Sequence, residues 1–231
     1  MSFKRPSIIR PPSEWRSYYL LLTKGCSNNT CTFCAYYGSK LQIREIEDVK
    51  KEIDALALYM GHRIHLPTIP DIVYAIAQQW DGKRIFLQDG DALIYPYPKL
   101  KEALQYLNEK FPRVERIATY ATPQDILRRS LNELKDLRGL KLGILYMGVE
   151  SGDEELLQTV GKGVSYHQMV EAGRKARGAG ITLSVTVILG LGGVKKSEVH
   201  SLETARIPSC LGPDRTCHTY YCSVEILERC D

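Results

Sequence analysis

Short apolar runs alternate along the chain with segments in which apolar residues recur every three or four positions. The first pattern predicts strands and the second predicts helices. The predicted strands cover residues 18–23, 84–88, 116–121, 142–149 and 181–189, and the predicted helices cover residues 46–60, 72–80, 97–111, 122–137, 153–160 and 166–179. This alternation is typical of right-handed βαβ units that build a parallel sheet.

The strand composition indicates how the sheet is covered. Residues 185–189 read Val-Thr-Val-Ile-Leu, a nearly continuous apolar run that suits a parallel strand buried on both faces. Successive βαβ units curl the sheet. We therefore expect an α/β fold, a partial (β/α)6 TIM-like barrel of parallel strands that lacks or alters its last strand, with residues 1–206 as the core domain.

Polar and glycine-rich motifs follow each of the five predicted strands. They are a cysteine loop, Asp89-Gly90-Asp91, residues 120–122, Glu150-Ser151-Gly152 and residues 190–193. Taken singly, each motif could be a turn, a helix cap or a loop. The carboxyl ends of parallel strands lie at one edge of the sheet, where ligands bind in α/β folds. Five such motifs at the same edge of the sheet favour a functional site there.

The loop after the first strand carries Cys26, Cys31 and Cys34 within nine residues. Three thiolates at this spacing can hold three irons of a cubane cluster and leave the fourth iron open to a small molecule. The Cys31–Cys34 spacing also suits zinc, for which His62 or His65 could be a further ligand. A disulfide framework is disfavoured by the odd count of seven cysteines and by the chain length. The spacing favours iron–sulfur over zinc.

Length, composition and charge are those of an ordinary soluble enzyme domain. The chain has 231 residues, 44% of them hydrophobic, enough for one large core. Its net charge of +4 comes from 31 basic and 27 acidic residues spread along the chain, which is weak evidence for a nucleic-acid partner. No apolar run reaches the ~20 residues of a membrane span. Thiols used as metal ligands, without a targeting segment, favour a reducing cytoplasm.

Taken together, the motifs resemble the radical S-adenosylmethionine (radical SAM) superfamily. Within it they are most similar to the branch of the elongator catalytic subunit and oxygen-independent coproporphyrinogen oxidase. The resemblance spans residues 10–206 and rests on the cysteine loop, the Asp-Gly-Asp turn, Gly-Val-Glu-Ser-Gly and Leu-Gly-Leu-Gly. The commonest family triad is Cys-x3-Cys-x2-Cys, and this chain has one more residue in the first gap.

The resemblance implies two cofactors, a 4Fe-4S cluster and S-adenosylmethionine (SAM). Cys26, Cys31 and Cys34 would hold the cluster, and Phe33 would lie against the adenine of SAM. The turn Asp89-Gly90-Asp91 would meet the amino group of SAM, with acidic side chains to accept its hydrogen bonds.

The later motifs would complete the SAM site by the same resemblance. Glu150 would hydrogen-bond the ribose hydroxyls, with Ser151 beside it in the cofactor site. Lys162 would meet the methionine carboxylate, and Gly190 would let the fifth strand approach the adenine. Tyr120 falls where relatives often carry an acid, so it receives no role.

The resemblance also implies a reaction, reductive cleavage of SAM to a 5′-deoxyadenosyl radical that abstracts hydrogen from a substrate. The substrate would be a small molecule or RNA, and the electron donor a protein such as ferredoxin or flavodoxin. The alternative is a non-catalytic metal-binding protein, either a zinc module or a truncated relative. A cobalamin-type Asp-x-His-x2-Gly motif is absent from the sequence.

Residues 207–231 do not show the apolar pattern of a sixth barrel strand. They carry four cysteines, Cys210, Cys217, Cys222 and Cys230. One interpretation is an auxiliary metal site, and the other is an aberrant or truncated terminus. The cysteine spacings match no metal-binding pattern, which favours the second interpretation.

Overall fold

The computed structural model describes residues 4–210 and 218–222 of the chain. Its strands are β1 Tyr18–Leu21, β2 Thr23–Lys24, β3 Gln42–Ile43, β4 Arg84–Gln88, β5 Arg116–Tyr120, β6 Leu142–Glu150, β7 Thr182–Ile188 and β8 His218–Cys222. Its helices are α1 Ile46–His62, α2 Asp71–Gln79, α3 Tyr97–Lys110, α4 Pro123–Arg128, α5 Leu131–Gly139, α6 Glu154–Thr159, α7 Tyr166–Gly178 and α8 Gly193–Cys210, after a 3-10 turn at Pro12–Glu14.

The main sheet has six strands in the order β1-β4-β5-β6-β7-β8, and every neighbouring pair is parallel. β2 and β3 form a separate antiparallel pair. The predicted α/β fold is confirmed. Within the described strands β1 and β8 are the two edges and do not pair with each other, so the sheet is an open, partial barrel.

The five predicted strands are all present, while two connections differ from the prediction. The helix predicted over residues 122–137 is two helices, because Ser130 starts a new one with a capping box to Glu133. Helix α8 was not predicted as a helix, and it follows directly on the glycine-rich end of β7.

The prediction allowed for an altered last strand, and His218–Cys222, which shows no apolar strand pattern, pairs with β7 through all five of its residues as the sixth strand. Backbone hydrogen bonds make this pairing, and an edge strand can form it without an alternating apolar pattern. Cys217 and Cys230 lie outside the described residues, and Cys210 and Cys222 outside the described side chains, so the interpretations of the tail stay predictions.

The two faces of the sheet differ in character. Tyr18 points to the helical layer, where its hydroxyl donates to Glu52 of α1 at 2.7 Å. On the opposite face the rings of Phe86, Tyr120 and Tyr146 pack at 5.2–6.0 Å. The hydroxyl of Tyr146 donates to the buried Glu14 at 2.6 Å, so the segment before β1 covers this face from the amino edge.

In the part of the chain that the structure describes, no helix has the length and apolar character needed to cross a membrane.

Candidate functional site

The cysteine loop lies between β2 and β3 at the carboxyl edge of the main sheet. Cys31 is buried, Cys26 and Cys34 are half-buried, and all three thiols are free. Burial, and then the nearby Asp91 carboxyl, raise the pKa of Cys26 to about 12. Burial also raises the pKa of Cys31. The negative charge of a Cys34 thiolate raises both pKa values further, so the three thiols influence one another.

One side of the cysteine loop is anchored by the turn after β4. The carboxylate of Asp89 accepts hydrogen bonds from the backbone N–H of Gly25 and from the hydroxyl of Tyr36. Burial, and then this hydrogen bond, raise the pKa of the Tyr36 phenol, so it stays a donor. A Cβ at Gly90 would lie 2.9 Å from the Tyr36 ring. Asp89 therefore holds the loop, with both of its oxygens already accepting from the protein, and the absence of a side chain at Gly90 lets the Tyr36 ring approach.

The third residue of this turn belongs to a buried acid pair. The Ser27 hydroxyl lies 2.7 Å from Asp91 and is also hydrogen-bonded to Asp125 of α4. Burial and the neighbouring Asp125 raise the pKa of Asp91 well above its usual value. Burial raises the pKa of Asp125, but the hydrogen bond from Asp91 and others outweigh it and lower that pKa. The Ser27 hydroxyl therefore bridges the two acids and ties the residue after Cys26 to the turn after β4 and to α4.

The other side of the loop is joined to the segment that follows α6. The Thr32 N–H donates to the Val160 carbonyl at 2.9 Å, and the Thr30 hydroxyl donates to the Gly161 carbonyl at 2.7 Å. Gly161 has φ 68°, and a Cβ there would lie 2.4 Å from the backbone carbonyl oxygen of Thr30. Only glycine fits this approach, which brings the next residue, Lys162, beside the cysteines.

Lys162 and Glu150 form a buried ion pair next to the thiols. Their Nζ–Oε1 distance is 3.1 Å, and the side chains are 9% and 10% exposed. Burial lowers the pKa of Lys162, but Glu150 and then a Cys31 thiolate outweigh it and raise that pKa, so the ammonium stays charged. The pair lies over Gly148, where a Cβ would be 2.1 Å from Glu150 Oε1. Glu150 Oε2 is buried and has no hydrogen-bond partner among the described residues.

The remaining predicted residues lie in different surroundings. Ser151 is turned toward α8, where its hydroxyl lies 2.8 Å from His200 Nδ1. Gly190 lies on the exposed loop after β7 with φ 79° and open space around its Cα. Phe33 is half-buried within the cysteine loop. Tyr120 packs its ring against Phe86 and Tyr146 in the sheet interior.

The histidines considered for zinc are far from the cysteine loop. His62 ends α1, whose 17 residues span about 25 Å from its start near β3. His65 stacks on Tyr74 at 4.2 Å between ring centroids. Within the described ranges no three His, Cys, Asp or Glu side chains are close enough to hold one metal ion. A cubane cluster spreads its cysteines over separate irons and does not need them to converge on one point.

Sequence reasoning missed the polar residues that hold the cysteine loop. Asn28 is the clearest example, because its amide donates to Cys31 Sγ at 3.3 Å and to the Lys162 carbonyl at 2.6 Å. The backbone N–H of Tyr36 lies 3.5 Å from Cys34 Sγ. Hydrogen bonds to sulfur tune iron–sulfur centres. The available signal was the run of polar residues between Cys26 and Cys31.

Comparison with known proteins identifies the family to which the fold and the sequence motifs belong. A family model described as the Radical SAM superfamily matches residues 20–205. A curated protein from Methanocaldococcus jannaschii, named “Putative methylthiotransferase”, is 23% identical over 178 residues, which cover 74% of this chain and 34% of that protein. The chain thus spans about a third of this relative.

Two solved structures share the fold. Coproporphyrinogen III oxidase from Escherichia coli matches with a TM-score of 0.59 and 20% identity over 89% of this chain and 43% of that chain. The methyltransferase TsrM from Kitasatospora setae, solved with cobalamin and a [4Fe-4S] cluster, matches with a TM-score of 0.53 and 16% identity over 81% of this chain and 34% of that chain. The family model covers most of the chain, and the chain belongs to the Radical SAM superfamily of enzymes.

Proposed function

We propose that this chain holds a 4Fe-4S cluster on Cys26, Cys31 and Cys34 and binds SAM beside it. The observation that carries the proposal is the buried Oε2 of Glu150, an acceptor without a described partner, next to Lys162 and the thiols. A buried carboxylate oxygen without a hydrogen bond is costly, so a ligand hydroxyl that donates to it would be favoured. Family membership and the cluster named for TsrM support the same cofactors.

When bound, and with one electron from the donor protein, the two cofactors would supply cleavage of SAM into methionine and a 5′-deoxyadenosyl radical, which would take a hydrogen atom from the substrate. The residues of the chain bind and orient. Three thiolates would hold iron, and the charged ammonium of Lys162 lies where it balances their negative charge. Glu150 Oε2 would accept a hydrogen bond from a ribose hydroxyl.

The loop contacts fit a site that must keep its cysteines fixed and dry. Asp89 holds the loop at Gly25, and the segment after α6 holds it at Thr30 and Thr32. Between these anchors Cys31 is 6% exposed. Exclusion of water strengthens electrostatic interactions inside such a site and protects reactive species. We propose a small molecule or RNA as substrate and a protein such as ferredoxin or flavodoxin as electron donor.

The experiment that tests the proposal compares Glu150→Gln with Glu198→Gln, a control at an exposed position of α8. Both proteins are reconstituted anaerobically with iron and sulfide, and SAM affinity is measured by equilibrium dialysis. We expect normal iron content in both. We expect SAM binding to be about 10- to 100-fold weaker in Glu150→Gln, since a hydrogen bond to a charged group contributes about 1.5–3 kcal/mol.

Two results would contradict the proposal. Unchanged SAM affinity in Glu150→Gln would remove this residue from the cofactor site. Zinc near one atom per chain, with no iron after anaerobic purification and reconstitution, would instead favour the non-catalytic metal-binding alternative.

A further inference from the structure

The backbone at Glu150 has an unusual conformation for a residue with a side chain. Its φ is 65°, in the left-handed region. The Ser151 N–H donates to the Val149 carbonyl at 2.8 Å, which closes a three-residue turn centred on Glu150. Turns of this kind with positive φ at the centre are rare and strained. Such a conformation persists only where neighbouring structure imposes it, so something must hold the residues on either side.

The residues after Glu150 are held by two side chains of α8, one helical turn apart. The Ser151 hydroxyl accepts from the Asp153 N–H at 3.0 Å and lies 2.8 Å from His200 Nδ1. The Gly152 N–H donates to the Thr204 hydroxyl at 2.8 Å. Ser151, His200 and Thr204 are all buried, so water cannot readily take the place of a lost hydrogen-bond partner. Removing one partner therefore costs free energy, because the other is left unsatisfied.

The helix backbone also limits this turn directly. A Cβ at Gly152 would lie 2.2 Å from the Glu203 carbonyl oxygen. Helix α8 therefore abuts the chain at Gly152, while its His200 and Thr204 side chains hold Ser151 and Gly152. These contacts start at the residue that follows Glu150, and they hold the backbone from which its side chain extends toward Lys162.

We propose that His200 and Thr204 are positioning residues that set the Glu150 carboxylate for the ribose of SAM. This inference rests on the proposed function of Glu150. Without the Thr204 hydroxyl, the Gly152 N–H is buried without an acceptor, and the turn relaxes away from positive φ. The Glu150 carboxylate then leaves the place where its free oxygen meets the ligand. The cysteine loop has its own anchors and keeps its cluster.

The test uses matched pairs of variants. Thr204→Val removes the hydroxyl at constant volume, and Thr204→Ser keeps it. His200→Ala removes the imidazole, and His200→Asn offers an oxygen near the position of Nδ1. Each reconstituted protein is assayed for iron content, for SAM affinity by equilibrium dialysis, and for the change that SAM causes in the electron paramagnetic resonance spectrum of the reduced cluster.

We expect iron content like that of the wild type in all four variants. Thr204→Val and His200→Ala should bind SAM about 10-fold more weakly, whereas Thr204→Ser and His200→Asn should stay within about 2-fold of the wild type. A Thr204→Val protein with wild-type SAM affinity would overturn the inference. If Thr204→Val does not fold, the His200 pair carries the same test.

A double-mutant cycle separates positioning of Glu150 from a general structural role. If Thr204 acts through Glu150, Thr204→Val causes no further loss of SAM affinity in the Glu150→Gln background. An equal loss in both backgrounds would contradict the inference. If Glu150→Gln alone leaves SAM affinity unchanged, it is the proposed function that fails, because the residue being positioned has no role in binding.

Discussion

Asp89 could anchor the cysteine loop or bind the cofactor, and its substitution by asparagine tests which of these roles it has. The sequence assigns Asp89 to the amino group of SAM, but in the structure its carboxylate accepts from Gly25 and Tyr36 of the cysteine loop. Asparagine has nearly the same shape. Asp89 has φ 95°, and asparagine tolerates positive φ better than most residues, so backbone strain adds little. The change therefore isolates the charge and one acceptor.

The size of the effect follows from these contacts. Asp89 is fully buried, and hydrogen bonds to a carboxylate contribute about 1.5–3 kcal/mol each. The asparagine oxygen can replace one of them, while its NH₂ group faces the second donor. We therefore expect a loss of about 2 kcal/mol in the free energy of unfolding. For a domain of this size that lowers Tm by about 4–8 °C.

The assay is thermal unfolding of the metal-free protein, without SAM, followed by iron analysis after reconstitution. Asp71→Asn, at an exposed position at the start of α2, is a control for the change in net charge. We expect Asp89→Asn alone to melt early and to load less iron, because Gly25 directly precedes Cys26. A Tm equal to that of the wild type, together with weaker SAM binding, would refute the anchor role and support the cofactor role.

Two further substitutions test other contacts. Glu52 is buried between two arginines and the Tyr18 hydroxyl; burial raises its pKa, but the arginines outweigh this and lower it. The stabilisation by the Glu52 carboxylate is therefore complete above the unfolded pKa of about 4.3 and is lost as pH falls through the lower folded pKa. In urea unfolding we expect Glu52→Gln to cost about 3 kcal/mol at pH 7 and less near pH 4. The same loss at both pH values would contradict the ion-pair explanation. Gly161→Ala should lower both Tm and iron loading, because the new Cβ would lie 2.4 Å from the backbone carbonyl oxygen of Thr30. Gly180 has a similar positive φ, but the nearest atom to a Cβ there is 3.8 Å away, so Gly180→Ala is the control. Equal losses in both variants would mean that backbone strain, and not the contact with Thr30, causes them.

The sequence was sufficient for most of the sheet but not for its connections. Five strands were predicted because continuous apolar runs are needed where helices cover a parallel sheet. The helix after β5 was predicted as continuous because its apolar repeat runs through residue 130, and the break at Ser130 could have been found from Ser-x-x-Glu, the capping-box pattern. Strand β8 was missed because it is an edge strand, whose backbone pairing leaves no alternating apolar pattern.

For the candidate site, the sequence predicted which motifs lie at one edge of the sheet but not the directions of their side chains. It placed Ser151 in the cofactor site, which stays a prediction, and did not foresee that its hydroxyl lies 2.8 Å from His200 Nδ1. It gave no sign that Asp91 lies near Asp125, with which it shares the Ser27 hydroxyl although the two acids are 34 positions apart in the chain. The spacing of residues along the chain does not predict contacts between residues that are far apart in sequence. The neighbouring pair Glu150 and Lys162 could be assigned only through the family resemblance.

The most direct test of the proposed radical SAM activity is an assay for 5′-deoxyadenosine. It is made after anaerobic cluster reconstitution and reduction with dithionite in the presence of SAM. Cys31→Ala is the control, because it removes the buried cysteine of the loop. We expect 5′-deoxyadenosine from the wild type and none from Cys31→Ala, whose iron loading should also be lost. A wild-type protein that binds iron and SAM but forms no 5′-deoxyadenosine would contradict the proposed radical chemistry.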